Sequence, residues 1–225
     1  MKKITALLFF IGTFCSAQYG NRQSFTQSHQ NYLEKIWIQD FGELEIKDIQ
    51  GTPYVSPIFE MTDISATYNP INARYNNYKD EVEFERDNKV YVLPKENQFS
   101  EIYFKGTNKK LKLLTNPDNL TENYFFEIAT GDVINIYKRT TVELQLPQKS
   151  NSPYKQDKPA SFLKPKTTYY IMQENKLKQI PNNIKKISSF FLNQKNEIDS
   201  FIKNNKIQME NDLDLKKLAN FINKN

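Results

Sequence analysis

Residues 51–93 read GTPYVSPIFEMTDISATYNPINARYNNYKDEVEFERDNKVYVL, and this stretch decides the fold. From Asp80 the chain alternates, with Glu81, Glu83 and Glu85 on one side and Val82 and Phe84 on the other. A period of two marks a strand with one packed and one wet face. Asp87-Asn88 tolerates a tight turn, and residues 89–93 return with β-branched and aromatic side chains. Two such runs about a short polar break make a hairpin, which Pro94 ends. Residues 73–78 and 43–49 read as further strands, with a bend at Asn76-Asn77 or Lys79-Asp80 and a turn at 51–53. On this pattern Val82 and Phe84 are expected to be buried and all three glutamates exposed. Phe84→Ala should then cost about 3–5 kcal/mol, and Glu83→Ala less than about 0.5 kcal/mol.

Downstream the alternation continues through residues 101–105, 110–114, 123–129, 133–138 and 141–146. Turns are expected at 106–109 and 116–119, and a two-residue hairpin turn at Gly131-Asp132. Residues 148–165, QKSNSPYKQDKPASFLKP, carry three prolines and read as a loosely packed loop. A last hairpin spans 167–172 and 176–180. The period then becomes helical. Ile184, Ile187 and Phe191 share one stripe, and Ile198, Phe201 and Ile202 a second, after Asn193 as N-cap. Leu215, Leu218 and Ile222 form a third after Asn211, with Asp212 and Asp214 in the first turn and Lys224 at the end, as the helix dipole prefers. The expected class is α+β: an antiparallel β-meander, as a curved sheet or partial barrel, followed by short C-terminal helices.

Upstream, MKK precedes the apolar run ITALLFFIGTF and the small residues before Gln18. This is the pattern of a secretory signal, expected to be cut after Ala17. The bulky Phe14 before Cys15 argues against a lipid anchor. Residues 18–42 are expected to be flexible or irregular; 31–41 fit either a short helix or a strand, with a short amphipathic helix or irregular lead-in preferred, in which Trp37 anchors the segment on the core. The organisation is then signal 1–17, lead-in 18–42, meander 43–147, loop 148–165, and final hairpin with helices 166–225. Loss of Lys2 and Lys3 lowers the net charge from +5 to +3. From Lys164 onward twelve lysines face six acids, interleaved with apolar residues at helical spacing. That is a solvated helical surface rather than a nucleic-acid patch, so no nucleic-acid partner is expected.

The chemistry on offer is narrow. Cys15 is the only cysteine and His29 the only histidine, and His29 stands in the polar lead-in. A Cys-His pair is excluded in the mature chain, and a Ser-His-Asp set would need His29. No phosphate loop and no metal-ligand spacing occurs, so neither cofactor nor metal is expected. No catalytic residue is assigned. The binding candidates are Tyr54, Arg74, Tyr75 and Tyr78, from the two most distinctive words. Tyrosine combines apolar area with a polar tip, and arginine offers a planar fork. The competing reading packs the tyrosines into the sheet and pairs Arg74 across strands.

GTPY at 51–54, ARYNNYKDEVEF at 73–84, the pair Tyr169-Tyr170 and SFIKNNK at 200–206 together resemble a family of uncharacterised exported proteins of Bacteroidota, flavobacteria in particular. The resemblance covers roughly residues 43–221. It implies export to the periplasm or beyond and carries no activity, cofactor or site with it. The expected function is a non-catalytic binding or structural module whose partner is another envelope protein. The alternatives are a carrier of an apolar ligand such as lipid, and a carboxylate-dependent hydrolase of envelope polymers.

Overall fold

The computed structural model describes residues 35–38, 42–65, 69–150, 154 and 156–224, with backbone alone at 35–38 and 42. The leader, its cleavage point, Cys15, His29 and the side chain of Trp37 lie outside the described residues. Strands β1 (Lys35–Ile38) and β2 (Gly42–Glu45) pair antiparallel as a separate hairpin. The helix or irregular lead-in expected over 31–41 is thus extended at 35–38, where each residue finds a ladder partner on β2. The strand expected over 43–49 stops at Glu45, and a single 3-10 turn (Ile46–Asp48) follows.

The main sheet holds β3 (Glu60–Ile64), β4 (Ile71–Asn76), β5 (Glu81–Arg86), β6 (Lys89–Val92), β7 (Glu101–Phe104), β8 (Lys109–Thr115), β9 (Glu122–Ala129) and β10 (Asn135–Thr141). After a small pair, β11 (Leu144–Gln145) with β12 (Ser161–Phe162), it is completed by β13 (Lys166–Gln173) and β14 (Lys176–Gln179). Its order is β6-β5-β4-β3-β7-β8-β9-β10-β13-β14, antiparallel throughout. The chain therefore makes two runs of hairpins that meet where β3 pairs with β7. The turns at Asp87-Asn88 and Glu174-Asn175 have positive φ at both residues, between 50 and 58°, as two-residue hairpins with the strands' own twist require.

Side-chain contacts measure the curvature. Tyr75 on β4 meets Tyr124 and Phe126 on β9 edge-on, with ring centroids 6.2 and 5.5 Å apart. Four strand steps separate β4 from β9. At about 4.8 Å each, a flat sheet would hold them roughly 19 Å apart. The sheet has curled until its inner face touches itself. Ile64, Val82, Phe84, Ile102, Phe104 and Leu111 fill the space between. Among the described residues no ladder closes the curl, so it is a partial barrel.

Further along, two helices cover the same face: α1 (Lys195–Asn204) and α2 (Asp212–Lys224). Ile198, Leu215, Leu218 and Ile222 pack on Ile136 and Ile171. A bulge between Ile136 and Tyr137 lets Ala129 and Ile136 turn toward the helices. Asn211 caps α2, its Oδ1 accepting from the N–H groups of Leu213 and Asp214 at 3.0 and 3.4 Å. Asn193 does not cap α1. Residues Leu192–Gln194 form a 3-10 turn that runs straight into the helix, and no side chain caps it. The first helical stripe is likewise a 3-10 helix (Ile184–Phe190), capped by Asn183.

Two connections differ from expectation. The β9–β10 link is not a tight turn at Gly131-Asp132. Asn223 of α2 reaches it instead, accepting from Val133 and Ile134 N–H at 2.9 and 2.8 Å and donating to Ile134 O at 3.0 Å. The proline-rich loop is not loose where it is described. Ser161–Phe162 pairs with Leu144–Gln145, Gln148 bridges Lys158, and Phe162 and Ala160 are buried with Ile49 and Val142. Apolar residues at its far end outweigh its prolines.

Candidate functional site

The word ARYNNYKDEVEF folds into β4, a turn at 77–80, and β5. Register sets Arg74 opposite Glu83 on the outer face, and Tyr75 opposite Val82 on the inner face. Glu81, Glu83 and Glu85 do share the outer side, but their fates differ. Glu85 is exposed, Glu81 half-buried and Glu83 has no exposed surface. The expectation of three wet glutamates fails at Glu83 because segment 52–59 folds over it. Asn77 N–H donates to Pro53 O (2.9 Å), Val55 N–H donates to Asn77 Oδ1 (3.0 Å), and Tyr54 bridges Asn76 as a one-residue extension of the sheet.

Under that flap Glu83 is saturated. Oε2 accepts from Arg74 Nε at 2.7 Å and lies 2.7 Å from Nη2; Oε1 accepts from Asn76 Nδ2 at 2.8 Å. The Tyr54 hydroxyl lies 3.0 Å from Oε2 and itself accepts from Arg74 Nη2 at 2.7 Å. Arg74 spends its last fork nitrogen, Nη1, on Pro57 O at 3.2 Å, and its plane lies between the rings of Tyr54 (4.0 Å) and Phe59 (4.3 Å). Burial, and then the Glu83 carboxylate, hold the Tyr54 phenol well above its ordinary value. This is a closed ion pair with its hydrogen bonds satisfied, the arrangement a buried charge requires.

A second carboxylate sits on the inner side, 6 % exposed: Asp80, in the left-handed region at φ 57°. Its Oδ1 accepts from the Tyr75 hydroxyl (2.6 Å) and from Tyr124 N–H (3.2 Å). Its Oδ2 accepts from Asn123 Nδ2 (2.6 Å) and Lys95 Nζ (2.5 Å). One side chain thus joins the β4–β5 turn to β9 and to the β6–β7 crossover. Asn77 adds a bond to β10, donating from Nδ2 to Thr140 O at 3.0 Å. These are the links that hold the curl where no ladder does. Burial, then Asp80, raise the Tyr75 phenol as well.

The four sequence candidates therefore separate. Tyr54 and Arg74 meet on Glu83; Tyr75 lies on the opposite face with Asp80; Tyr78 packs edge-on against Phe162 at 5.5 Å in a third cluster. Tyr54 and Tyr75 are buried and Tyr78 is half-buried. Sequence reasoning missed Glu83 and Asp80. The signal for Glu83 was present: a turn centred on 78–79 puts residue 83 opposite residue 74, an acid opposite a base.

Two concavities among the described residues lie near these clusters. At the mouth of the curl a cavity of about 20 Å³ lies between Val55, Ile58, Phe104 and Phe126, room for about one water. On the outer face a groove of about 160 Å³ runs across β3, β7, β8 and β9, lined by Asp63, Tyr103, Glu101, Lys110, Lys112 and Glu127. Register lays these out in rows across the strands: Asp63 opposite Tyr103, Tyr103 opposite Lys110, and Glu101 opposite Lys112. Lys112 pairs with Glu101 at 3.1 Å, Lys105 with Asp63 at 2.9 Å, and Lys110 with Glu127 at 3.7 Å. Burial and the nearby Glu127 and Glu101 push the Tyr137 phenol up to about 12. Among the described residues no group of His, Cys, Asp and Glu could hold a metal ion. No helix of the described residues is long and apolar enough to cross a membrane. Comparison of the chain with protein-family models, curated proteins and solved structures finds no match.

Proposed function

We propose that the protein is an exported, non-catalytic binding module that takes a polar ligand in the groove across the outer face of β3, β7, β8 and β9. The observation that carries this reading is the groove itself. It is the larger of the two concavities, and its walls alternate acid, aromatic and amine across neighbouring strands. Such walls offer donors, acceptors and an apolar surface together, which suits a ligand rich in hydroxyls or amides. The two buried carboxylates support the non-catalytic half of the reading. Glu83 and Asp80 each receive donors on both oxygens and serve to hold the sheet, so neither is free to move a substrate proton. Ile64, Val82, Phe84, Ile102 and Leu111 fill the described interior of the curl, which favours a surface ligand over an enclosed acyl chain. The leader pattern and the resemblance to exported flavobacterial proteins support export.

The test is a titration of labelled protein with soluble envelope glycan fragments, followed by NMR. Resonances of Tyr103, Lys110, Lys112 and Glu127 should move together, and Lys110→Ala with Lys112→Ala should abolish the shifts at an unchanged melting temperature. Shifts confined to another face, or none, overturn the groove. Turnover of the fragments overturns the non-catalytic reading.

A further inference from the structure

Among the described residues the sheet ends on two edge strands, β6 and β14, and they are built differently. On β6 the N–H of Leu93 donates to Val82 O at 2.9 Å, so Leu93 faces β5. By alternation Tyr91 and Lys89 face β5 too, and Val90 and Val92 aim their N–H and C=O groups outward. Among the described residues no other strand pairs with β6. The strand has no bulge in its register, no proline before Pro94, and its one charge, Lys89, sits at the hairpin tip. Although the strand is short, among the described residues it lacks the bulge, internal proline and mid-strand charge that commonly protect an exposed edge.

We infer that β6 is a self-association edge, at which a second copy of this chain pairs antiparallel about a two-fold axis through Tyr91. The strand is complementary to itself. In that register Val90 faces the partner's Val92 and Val92 the partner's Val90. Both pairs exchange N–H···O bonds, four in all, and the partner's Pro94 ends the ladder because it has no N–H to give. On the inner face Tyr91 meets the partner's Tyr91. Tyr91 already stacks on Phe84, with centroids 5.5 Å apart and planes 26° from parallel, so the seam becomes a continuous row of four rings. On the outer face the valines of the two strands form one apolar stripe.

The same construction fails at β14. Ile180 N–H donates to Tyr169 O at 2.8 Å, so Lys178 faces β13 and Leu177 and Gln179 point outward. A two-fold axis there sets Lys178 against the partner's Lys178, and like charges directly opposite destabilise the pair. One edge is closed to its own kind and the other is open. A four-bond ladder buries less than the roughly 1,200 Å² of a standard interface, so the dimer forms only as concentration rises.

Sedimentation equilibrium across a concentration series tests this. The wild type should follow a monomer–dimer equilibrium. Tyr91→Lys, which opposes two ammonium groups at the axis, should weaken the dimer by about tenfold or more. Val92→Pro should do the same by removing an outward N–H that β5 does not use. Lys178→Arg, which keeps like charges opposed across β14, should change nothing. Should Tyr91→Lys fail to fold, Val92→Pro and amide exchange on the wild type decide: the Val90 and Val92 amides should exchange more slowly as the dimer forms. A monomer at every concentration overturns the inference. So does a dimer indifferent to Val92→Pro, a dimer that leaves those amides unprotected, or a mass that grows beyond two, which would mean β6 meeting β14 head to tail.

Discussion

Between β3 and β9 the sheet covers its inner face with itself, whereas beyond β9 helices α1 and α2 cover it. The first half gains its enclosure by bending, and bending leaves two rims that share no ladder. Buried polar side chains must hold them together, and Asp80 and Asn77 do so. In the second half amphipathic helices supply an apolar lid, and Asn223 ties α2 to the β9–β10 link at the sheet's end. Its polar ties are lighter: Lys138 and the Tyr169 hydroxyl both bond Asp212 at the start of α2, and Asp212 stays partly open to water. The same sheet is thus held by directional bonds at one end and by non-directional packing at the other. Directional bonds fail abruptly when one partner goes, while packing yields by degrees.

Asp80→Ala should cut deepest. It strands Lys95, Asn123, the Tyr75 hydroxyl and Tyr124 N–H in a buried site, at a cost of about 4–5 kcal/mol. Urea melts give the loss, and hydrogen exchange should quicken in β4 and β9 before it does in α2. Uniform quickening would mean the two halves are not distinct.

Glu83→Ala should cost about 3 kcal/mol, since it leaves Arg74 half-shielded without its counter-charge. The loss should be the smaller of the two, because Arg74 keeps Pro57 O and the two rings. Combining Arg74→Ala with Glu83→Ala should cost much less than the separate losses added. A silent Glu83→Ala would restore the simple wet-face reading of β5.

In the helical half Ile198→Val, which trims one buried methylene, should cost about 1 kcal/mol in the same melts. Asp212→Asn should cost less than about 1 kcal/mol, as a partly exposed ion pair does. A larger effect at Asp212 than at Asp80 would reverse the contrast between the halves.

The smallest effect should come from Glu81. Burial raises its carboxyl above the ordinary range, only partly offset by Lys79, and its Oε2 has no hydrogen-bond partner. The folded chain therefore binds this proton more readily than the unfolded chain. The stability it contributes is full below the unfolded carboxylate range and lost as pH rises through the folded value. Glu81→Gln should raise the melting temperature slightly near neutrality, with the gain fading in acid. A gain that persists at low pH would point to a cause other than this titration.

The local pattern made much of the fold legible. Period-two alternation marks β5, β6, β7, β8 and β9, and helical spacing marks the stripe of α2 with its Asn211 cap. β3 was not legible. In EMTDI the inner positions are Glu60, Thr62 and Ile64, so no apolar alternation announces the strand on which both hairpin runs meet. Of the candidate site, the residue words were visible but not their roles. Tyr54, Arg74, Asn76 and Glu83 look like surface residues until segment 52–59 closes over them, and Asp80 reads as half of a turn until β9 arrives with Asn123.

The sequence by itself determined the antiparallel hairpins, the helical end and the absence of a thiol from the residues after the expected cleavage point. Each of these depends on neighbours a few positions apart, whose spacing alone selects a period. Only the tertiary structure decided which of three alternating glutamates is dry, how far the sheet curls, and which edge is left open. Those outcomes depend on contacts between residues tens of positions apart. Burial is a property of what comes to lie on top, and nothing in the alternation of a single strand carries that information.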